Sequence, residues 1–353
     1  MGWAHKLLRA TAATVALAAV AAGPVKAAEY NYKLTSYVPV GSGSWKVYMQ
    51  EFIDLAGQLT GGKVNIKGYS VGVLASPFDA WKAVQKGTAD ICFCYPAFAA
   101  NADPANAIFA GMTGGMPPET FQHWLLGGGG GDLWRDFRHK TSNLHPLITG
   151  FGPTEIFMHA HKKVKNAADL KGMKIRTAGA WADILKSLGA APVTLAPSDI
   201  YTALERHVID GTEFITPWTN YKLGFHKIAK YIMVPGLHSP THANEAVFRF
   251  DDWKKLPKAI QIQLTAAAEL AGHRSHISLG LNDLGAMEKL RAGRNEWVEI
   301  DKSLQDKIQE LGRSWSKEQA KKQTAKGNPW MAKVSESYWA FYDRFQKNGT
   351  YRF

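Results

Sequence analysis

The chain has 353 residues, 42 Lys and Arg against 30 Asp and Glu, a formal net charge of +12, and two cysteines. That length allows two domains with separate cores. The basic residues are scattered in short pairs such as Lys162-Lys163 and Lys321-Lys322; with no basic block interleaved with aromatics, nucleic acid is excluded and an anionic small molecule is favoured.

The first residues read as a secretory signal: a basic start (His5, Lys6, Arg9), an Ala/Val/Leu run over residues 10–22, and small residues around Val25, Ala27 and Ala28, with cleavage near Ala27 or Ala28. The run is shorter than the roughly 20 residues of a membrane-spanning helix, and no later run approaches that length. Removing Lys6, Arg9 and Lys26 with the leader leaves 12 − 3 = +9 on an exported, soluble protein.

Residues 30–36 read as a strand. A turn at residues 41–44 leads to a helix with Phe52, Leu55, Ala56 and Leu59 at helical spacing, stopped by Gly61-Gly62. Val64 and Ile66 begin a second strand, Ser76-Pro77 opens a helix burying Phe78, Trp81 and Val84, and residues 89–95 form a buried strand. Ligands of such a βαβαβ unit bind beyond the carboxyl ends of the strands, here residues 36–44, 71–76 and 95–99. Cys92 and Cys94 share one face of the third strand, where direct bridging would be strained, and read as buried small apolar residues rather than a redox or metal pair. The glycine run 127–131 is followed by Asp132 and Leu133 instead of Lys-Ser/Thr, so it reads as a break in a helix between Pro118 and Phe137, not a phosphate loop.

A second alternating unit starts at Pro153: strands at 155–159 and 173–177, a helix at 182–188, a strand at 192–195, a helix from Ser198, and strands at 211–215 and 231–234. Residues 244–250 read as a strand returning to the first unit. From Trp253 the chain is almost all helical, with Ile260, Leu264, Ala267 and Ala271, then Ile277, Leu281, Leu284 and Met287, on the apolar face of a long helix or helix pair. Residues 296–300 interrupt as a strand, and Asn328-Pro329 opens a last helix with Trp330, Val334, Tyr338, Phe341 and Phe345 on one face. The fold class is α/β: two lobes with mixed sheets, a cleft between them, and a long helical C-terminal third. Lobe I takes residues 29–152 and about 241–292; lobe II takes 153–240 and about 293–353.

Arg176 ends a short apolar strand just before a glycine turn, a geometry suited to holding a carboxylate. The segment DLKGMKIR at residues 169–176, the following LGAAPVTLAPSDIYTALE, IDGTEF, and GTADICF at 87–93 closely resemble the solute-binding subunit of tripartite ATP-independent periplasmic (TRAP) transporters. KLGFHKIAKY at 222–231 resembles the branch of that family that binds 2-oxo acids and other small carboxylates with a cation. The resemblance covers most of the mature chain.

The resemblance implies a periplasmic receptor, not an enzyme, that delivers a 2-oxo, 2-hydroxy or related monocarboxylate to separate membrane permease subunits. It makes Arg176 the two-point carboxylate anchor, a role that lysine cannot fill. It puts a cation, calcium or sodium, on Glu155, Glu213 with the backbone of Phe214, and Ser239, Glu155 also facing the substrate. Here the chain departs from its relatives: glutamate stands for a glutamine, phenylalanine for a tryptophan, and serine for a later acid. Two carboxylates plus that of the ligand would suit a divalent ion at least as well as sodium. Phe98, Trp181 and Trp218 are expected as aromatic cleft contacts. Some relatives pair through a C-terminal helix, and the aromatic face of the last helix permits a homodimer. The rival readings are a periplasmic metal-dependent enzyme, with His159, His161 and Glu155 on one strand face, and a ligand sensor for a membrane signalling partner. No HExxH motif or nucleophile elbow supports the first.

Overall fold

The computed structural model describes residues 27–349. The expected signal segment, residues 1–28, lies outside them apart from Ala27 and Ala28.

The first sheet is built from β1 (Tyr30–Ser36), β2 (Val64–Tyr69), β3 (Ile91–Cys94) and β4 (Leu144–Gly152). The second holds β5 (Met158–Ala160), β6 (Lys174–Arg176), β7 (Ala191–Val193), β8 (Gly211–Thr212) and β9 (Tyr231–Val234). The chain then returns through β10 (His242–Arg249) and leaves again for β11 (Glu296–Glu299). Strand order is β2-β1-β3-β10-β4 in one sheet and β11-β9-β5-β8-β6-β7 in the other. In the first, β1 runs parallel to β2 and β3, while β10 is antiparallel to β3 and β4. Ile91, Cys92, Phe93 and Cys94 are buried on both faces, as expected of a central strand covered by helices on both sides.

The strand β4 has no counterpart in the sequence reading, because Pro146 sits inside it. A proline is tolerated there since β4 is the edge of its sheet, where no amide is needed on the open side. Cys92 and Cys94 also depart from expectation: they form a disulfide. Alternate residues of a strand share a face, and their Cα atoms, 5.7 Å apart, lie within the span a disulfide bridges. The helix expected at Ser76-Pro77 begins later, at Ala80, after a turn.

The chain crosses between the sheets after β4, after β9 and through a single 34-residue helix, Lys258–Arg291. The first two crossings are stitched together. Glu155 and Gly236 form an isolated antiparallel bridge, Glu155 N donates to Ser239 O at 3.1 Å, Thr154 Oγ1 to Pro240 O at 2.8 Å, and Thr241 Oγ1 to Gly152 O at 2.9 Å. A Cβ on Gly236 would stand 1.9 Å from the Glu155 carbonyl oxygen, so this approach requires glycine.

The last two helices, Lys302–Ala325 and Trp330–Asn348, grip both halves. Trp315 Nε1 donates to Asp183 Oδ2 in the helix after β6, at 2.8 Å. The final helix instead lies on the helices between β3 and β4: Met116 N donates to Tyr338 Oη at 2.6 Å and Trp124 Nε1 to Ser337 Oγ at 3.1 Å. Residues 293–353 thus touch elements of both halves, Lys302–Ala325 the helix after β6 and Trp330–Asn348 the helices between β3 and β4. The final helix's buried face of Trp330, Val334 and Tyr338 is matched by Phe121, Trp124 and Phe137, and apolar area decides where it docks. The helix break expected in the glycine run falls at residues 127–129, between helices Pro118–Leu126 and Gly130–Ser142.

Candidate functional site

A cavity opens between the two sheets at the carboxyl ends of β1, β3, β6 and β8, walled on its remaining side by the paired crossings. Arg176, the last residue of β6, lines it with 2 % of its surface exposed. Its Nε and Nη2 donate to the Leu195 carbonyl at 3.3 and 3.2 Å, and Nη1 donates to the Glu213 carbonyl at 3.3 Å. The Phe214 ring lies 5.2 Å from Cζ. A guanidinium carries five N–H groups, so these bonds fix the plane and leave one N–H on each terminal nitrogen. Burial lowers the Arg176 pKa while Glu213 and Glu155 oppose the shift; arginine remains a cation in either case.

Two carboxyls share the cavity with it. Glu155, on the first crossing, accepts a 2.9 Å hydrogen bond on Oε1 from Ser239 Oγ, on the second crossing. Burial drives the Glu155 pKa up to about 8, with the Ser239 bond the foremost opposing influence. Glu213, one residue past β8, is raised by burial and then by the charge of Glu155. Between them stands His238, whose Nε2 lies 3.6 Å from Glu155 Oε2 and 3.9 Å from Glu213 Oε2. Burial pushes the His238 imidazole down to about 4 and that of His242 to about 3, so both rings are neutral at pH 7. His242 is held from behind, its Nε2 within 2.6 Å of Tyr48 Oη.

Several buried polar atoms here have no partner: Glu155 Oε2, both ring nitrogens of His238, His242 Nδ1 and Trp181 Nε1. Buried polar atoms are nearly always paired, and leaving one orphaned costs about 1–3 kcal/mol. Glu155, Glu213 and His238 each offer one ligand atom within 4.8 Å of the others, the one such trio among the described residues. An orphaned carboxylate oxygen on Glu155 and the orphaned imidazole of His238, with the Glu213 carboxyl beside them, fit a bound cation.

The other expected residues divide. Phe98 and Trp181 are buried in the cavity wall, and Phe214 and Ser239 line it. The Phe214 carbonyl already accepts from Asn220 Nδ2 at 2.6 Å, which leaves it one lone pair. Trp218 is absent from the wall: its indole packs on Gly43, because the helix Pro217–Leu223 turns it toward the start of the helix after β1. His159 and His161 do not join Glu155 in a metal group, since Glu155 precedes β5 on the crossing instead of lying within the strand; His161 Nε2 meets the Leu204 carbonyl at 2.8 Å and His159 packs on Phe225. The sequence reading missed Tyr37, Tyr95, His238 and His242. Tyr37 and Tyr95 are the first residues past β1 and β3, a position that marks them as ligand-facing. His238 and His242 flank Ser239 in GLHSPTH, a loop whose place beside the cavity no local spacing encodes.

Sequence and fold comparisons agree with one another. The model of the family described as DctP, bacterial extracellular solute-binding protein, family 7, matches residues 37–336. A monocarboxylate 2-oxoacid-binding periplasmic protein of Nostoc sp. is 26% identical over 298 residues, covering 84% of this chain and 80% of its own. A TRAP transporter solute-binding protein of Bordetella bronchiseptica, solved as a dimer with copurified calcium and picolinate in one active site, is 25% identical. It superposes with a TM-score of 0.84, covering 91% of this chain and 94% of that one. A TRAP periplasmic solute-binding protein of Pseudoalteromonas atlantica, solved with sodium and pyruvate, is 20% identical, covers 90% and 95%, and has the same TM-score of 0.84.

Proposed function

We propose, for a chain that belongs to family 7 of the bacterial extracellular solute-binding proteins (DctP), that it captures a small carboxylate with a donor atom beside the carboxyl, such as a 2-oxo or 2-hydroxy acid. It is an extracytoplasmic receptor and not an enzyme, working with membrane permease components. No helix among the described residues is long and apolar enough to cross a membrane. Export through a cleaved segment ending near Ala27 or Ala28 completes the reading, with lobe I around the first sheet and lobe II around the second. A dimer through the last helix would use Phe341 and Phe345, the half-buried remainder of its aromatic face.

The single observation that carries the reading is the buried Arg176 fork with one uncommitted N–H on each terminal nitrogen, in a cavity between the two sheets. Two parallel N–H groups match two carboxylate oxygens. Phe98, Trp181 and Tyr95 exclude water around that pair, which strengthens it by lowering the local dielectric. The neighbouring oxo or hydroxy oxygen then lies toward Glu155, Glu213 and Ser239. With both glutamates ionised, Arg176 and a monoanion, the charge is −2 + 1 − 1 = −2, so the site needs positive charge. A cation held by Glu155, Glu213 and the second lone pair of the Phe214 carbonyl, with Ser239 Oγ orienting the Glu155 carboxyl, would supply it; calcium gives neutrality, sodium leaves −1, and a proton on Glu155 makes up that difference. When bound, the cation would neutralise the carboxylates and accept the second oxygen of the acid.

Arg176→Lys keeps the charge and removes the fork. Calorimetry with pyruvate and picolinate should show affinity lower by about 10–100-fold, the value of roughly 1.5–3 kcal/mol for a charge-assisted bond. Equal affinity in wild type and variant would remove Arg176 from the site.

A further inference from the structure

We infer that His238 is a metal ligand, and that the cation of this receptor is a divalent transition ion of the zinc class rather than calcium or sodium. The inference rests on the proposed reading of the site as cation-assisted and changes what that cation is.

Three observations carry it. First, His238 stands at the centre of the cluster, its Nε2 3.6 Å from Glu155 Oε2 and 3.9 Å from Glu213 Oε2. Donors bound to one such ion at about 2.1 Å can lie no more than roughly 4.2 Å apart, so small torsional shifts bring all three onto a single centre. Second, both nitrogens of His238 are buried and unpartnered. His159 shares that state, but among the described residues only His238 also has two carboxyl groups within reach of a common ion. Third, the ring is set in place by apolar neighbours: Phe157 meets it edge-on with centroids 5.6 Å apart, and Trp181 lies at 5.8 Å. These contacts restrict its rotation without consuming its lone pair.

The donor chemistry then selects the ion. Calcium and sodium take oxygen ligands, and an imidazole gives them little, whereas imidazole with carboxylate suits zinc, cobalt, nickel and iron. The trio of one imidazole and two carboxylates leaves positions open for a bidentate acid. A divalent ion also brings the charge count of the site to zero, as sodium alone does not. Ser239, where the resemblance implies an acid, fits the same picture: its hydroxyl is occupied in orienting Glu155, and the coordination lost there is made up by nitrogen from the adjacent residue.

The test uses the full-length protein freed of its signal segment and stripped of metal. Cobalt(II) serves as the spectroscopic probe, with calcium and zinc compared by calorimetry in the absence and presence of pyruvate. The expected result is visible cobalt absorption shifted by nitrogen coordination, and affinities for cobalt and zinc at least tenfold above that for calcium. His238→Gln, with a melting curve as the folding control, should lose at least tenfold for zinc while changing calcium less than threefold. The wild-type selectivity is decisive even if this variant misfolds. Calcium binding as tightly as zinc, or zinc binding indifferent to His238→Gln, overturns the inference and leaves the cation-assisted receptor standing. Pyruvate binding with no response to any metal overturns both the inference and the cation in the proposed function. Zinc affinity without any pyruvate binding points to a metal receptor, removing the proposed ligand while the assignment of His238 survives.

Discussion

Trp218 lays its indole against Gly43 across the divide between the two sheets: a Cβ on Gly43 would stand 2.5 Å from Cη2 of the ring. Gly43 opens the helix after β1 and Trp218 lies in the helix after β8. The Trp218 amide also donates to Asp283 Oδ1 in the long crossing helix at 2.7 Å. One residue thus ties a helix of each sheet to the element that spans them. Gly43→Ala forces the ring away, an overpacking cost of about 1–3 kcal/mol that opening the cleft relieves. Acid affinity should fall about tenfold, equivalent to 1.4 kcal/mol, while the melting temperature of the ligand-free protein stays within roughly 2 °C. Calorimetry and small-angle scattering would read this, and a liganded variant as tight and as compact as wild type would dismiss the contact as a clasp.

Gly236 has a different burden, because its neighbour is backbone. The Glu155 carbonyl lies 1.9 Å from where its Cβ would be, and it cannot swing aside without breaking the bridge that pairs the two crossings. Gly236→Ala should cost about 2 kcal/mol or more, lowering the melting temperature by roughly 4–8 °C. Acid binding should weaken with it, since Glu155 is displaced by the same shift. Scanning calorimetry showing an unchanged transition would mean that the crossings part easily.

The buried groups predict a stability maximum near neutrality for the metal-free protein. Glu155, raised from 4.5 to about 8, binds its proton more tightly folded than unfolded. Its contribution is full below its unfolded pKa and is lost as pH climbs through 8. The neutral histidines act in the opposite sense: His238 near 4, and His242, His159 and His145 near 3, all lowered from 6.5 by burial. Their contribution is full above 6.5 and is lost as pH falls toward 4 and 3. The melting temperature of metal-free protein should therefore fall on both sides of about pH 6.5. Glu155→Gln should flatten the alkaline limb and steepen the acid limb above about pH 4.5, where Glu155 opposes the histidines. An alkaline limb that persists in that variant would assign it to another group.

Much of this site was legible because its parts lie where chain patterns are strongest. Periodicity finds the short apolar strands that Arg176 ends and Glu213 follows, while the place of Glu213 in the site rests on the family resemblance and not on spacing. Phe98 falls in the segment beyond β3, where a parallel sheet presents its ligands. What escaped depends on pairing between distant segments. Whether Glu155 sits in β5 or on the crossing before it is decided by Gly236 and Ser239, some eighty residues away, and no local spacing encodes that. β4 escaped because Pro146 argues against a strand unless the edge position is known. The aromatic face of the last helix says that it will be buried, not against what. Trp218 shows the same limit of pattern: a large aromatic near a site is as easily a contact between lobes.

Ser239 separates a group that orients a ligand from one that is a ligand. Its Oγ donates to Glu155 Oε1 at 2.9 Å, and its carbonyl accepts the Glu155 amide at 3.1 Å. Ser239→Ala keeps the backbone bond and removes the hydroxyl, so Glu155 stays on its crossing but its carboxyl is free to rotate. A lost neutral hydrogen bond of about 0.5–1.5 kcal/mol corresponds to a cation affinity lower by roughly 2–12-fold. Glu155→Gln removes a charge facing the cation and should cost far more, on the order of a hundredfold, as buried charge partners do. That ordering, read by metal titration of both variants, identifies Ser239 as a positioning residue. The Ser239 bond also opposes the rise in the Glu155 pKa, so Ser239→Ala should move the alkaline limb of the metal-free stability curve to higher pH. A direct ligand with no hold on Glu155 would lower cation affinity as severely as Glu155→Gln while leaving that limb in place.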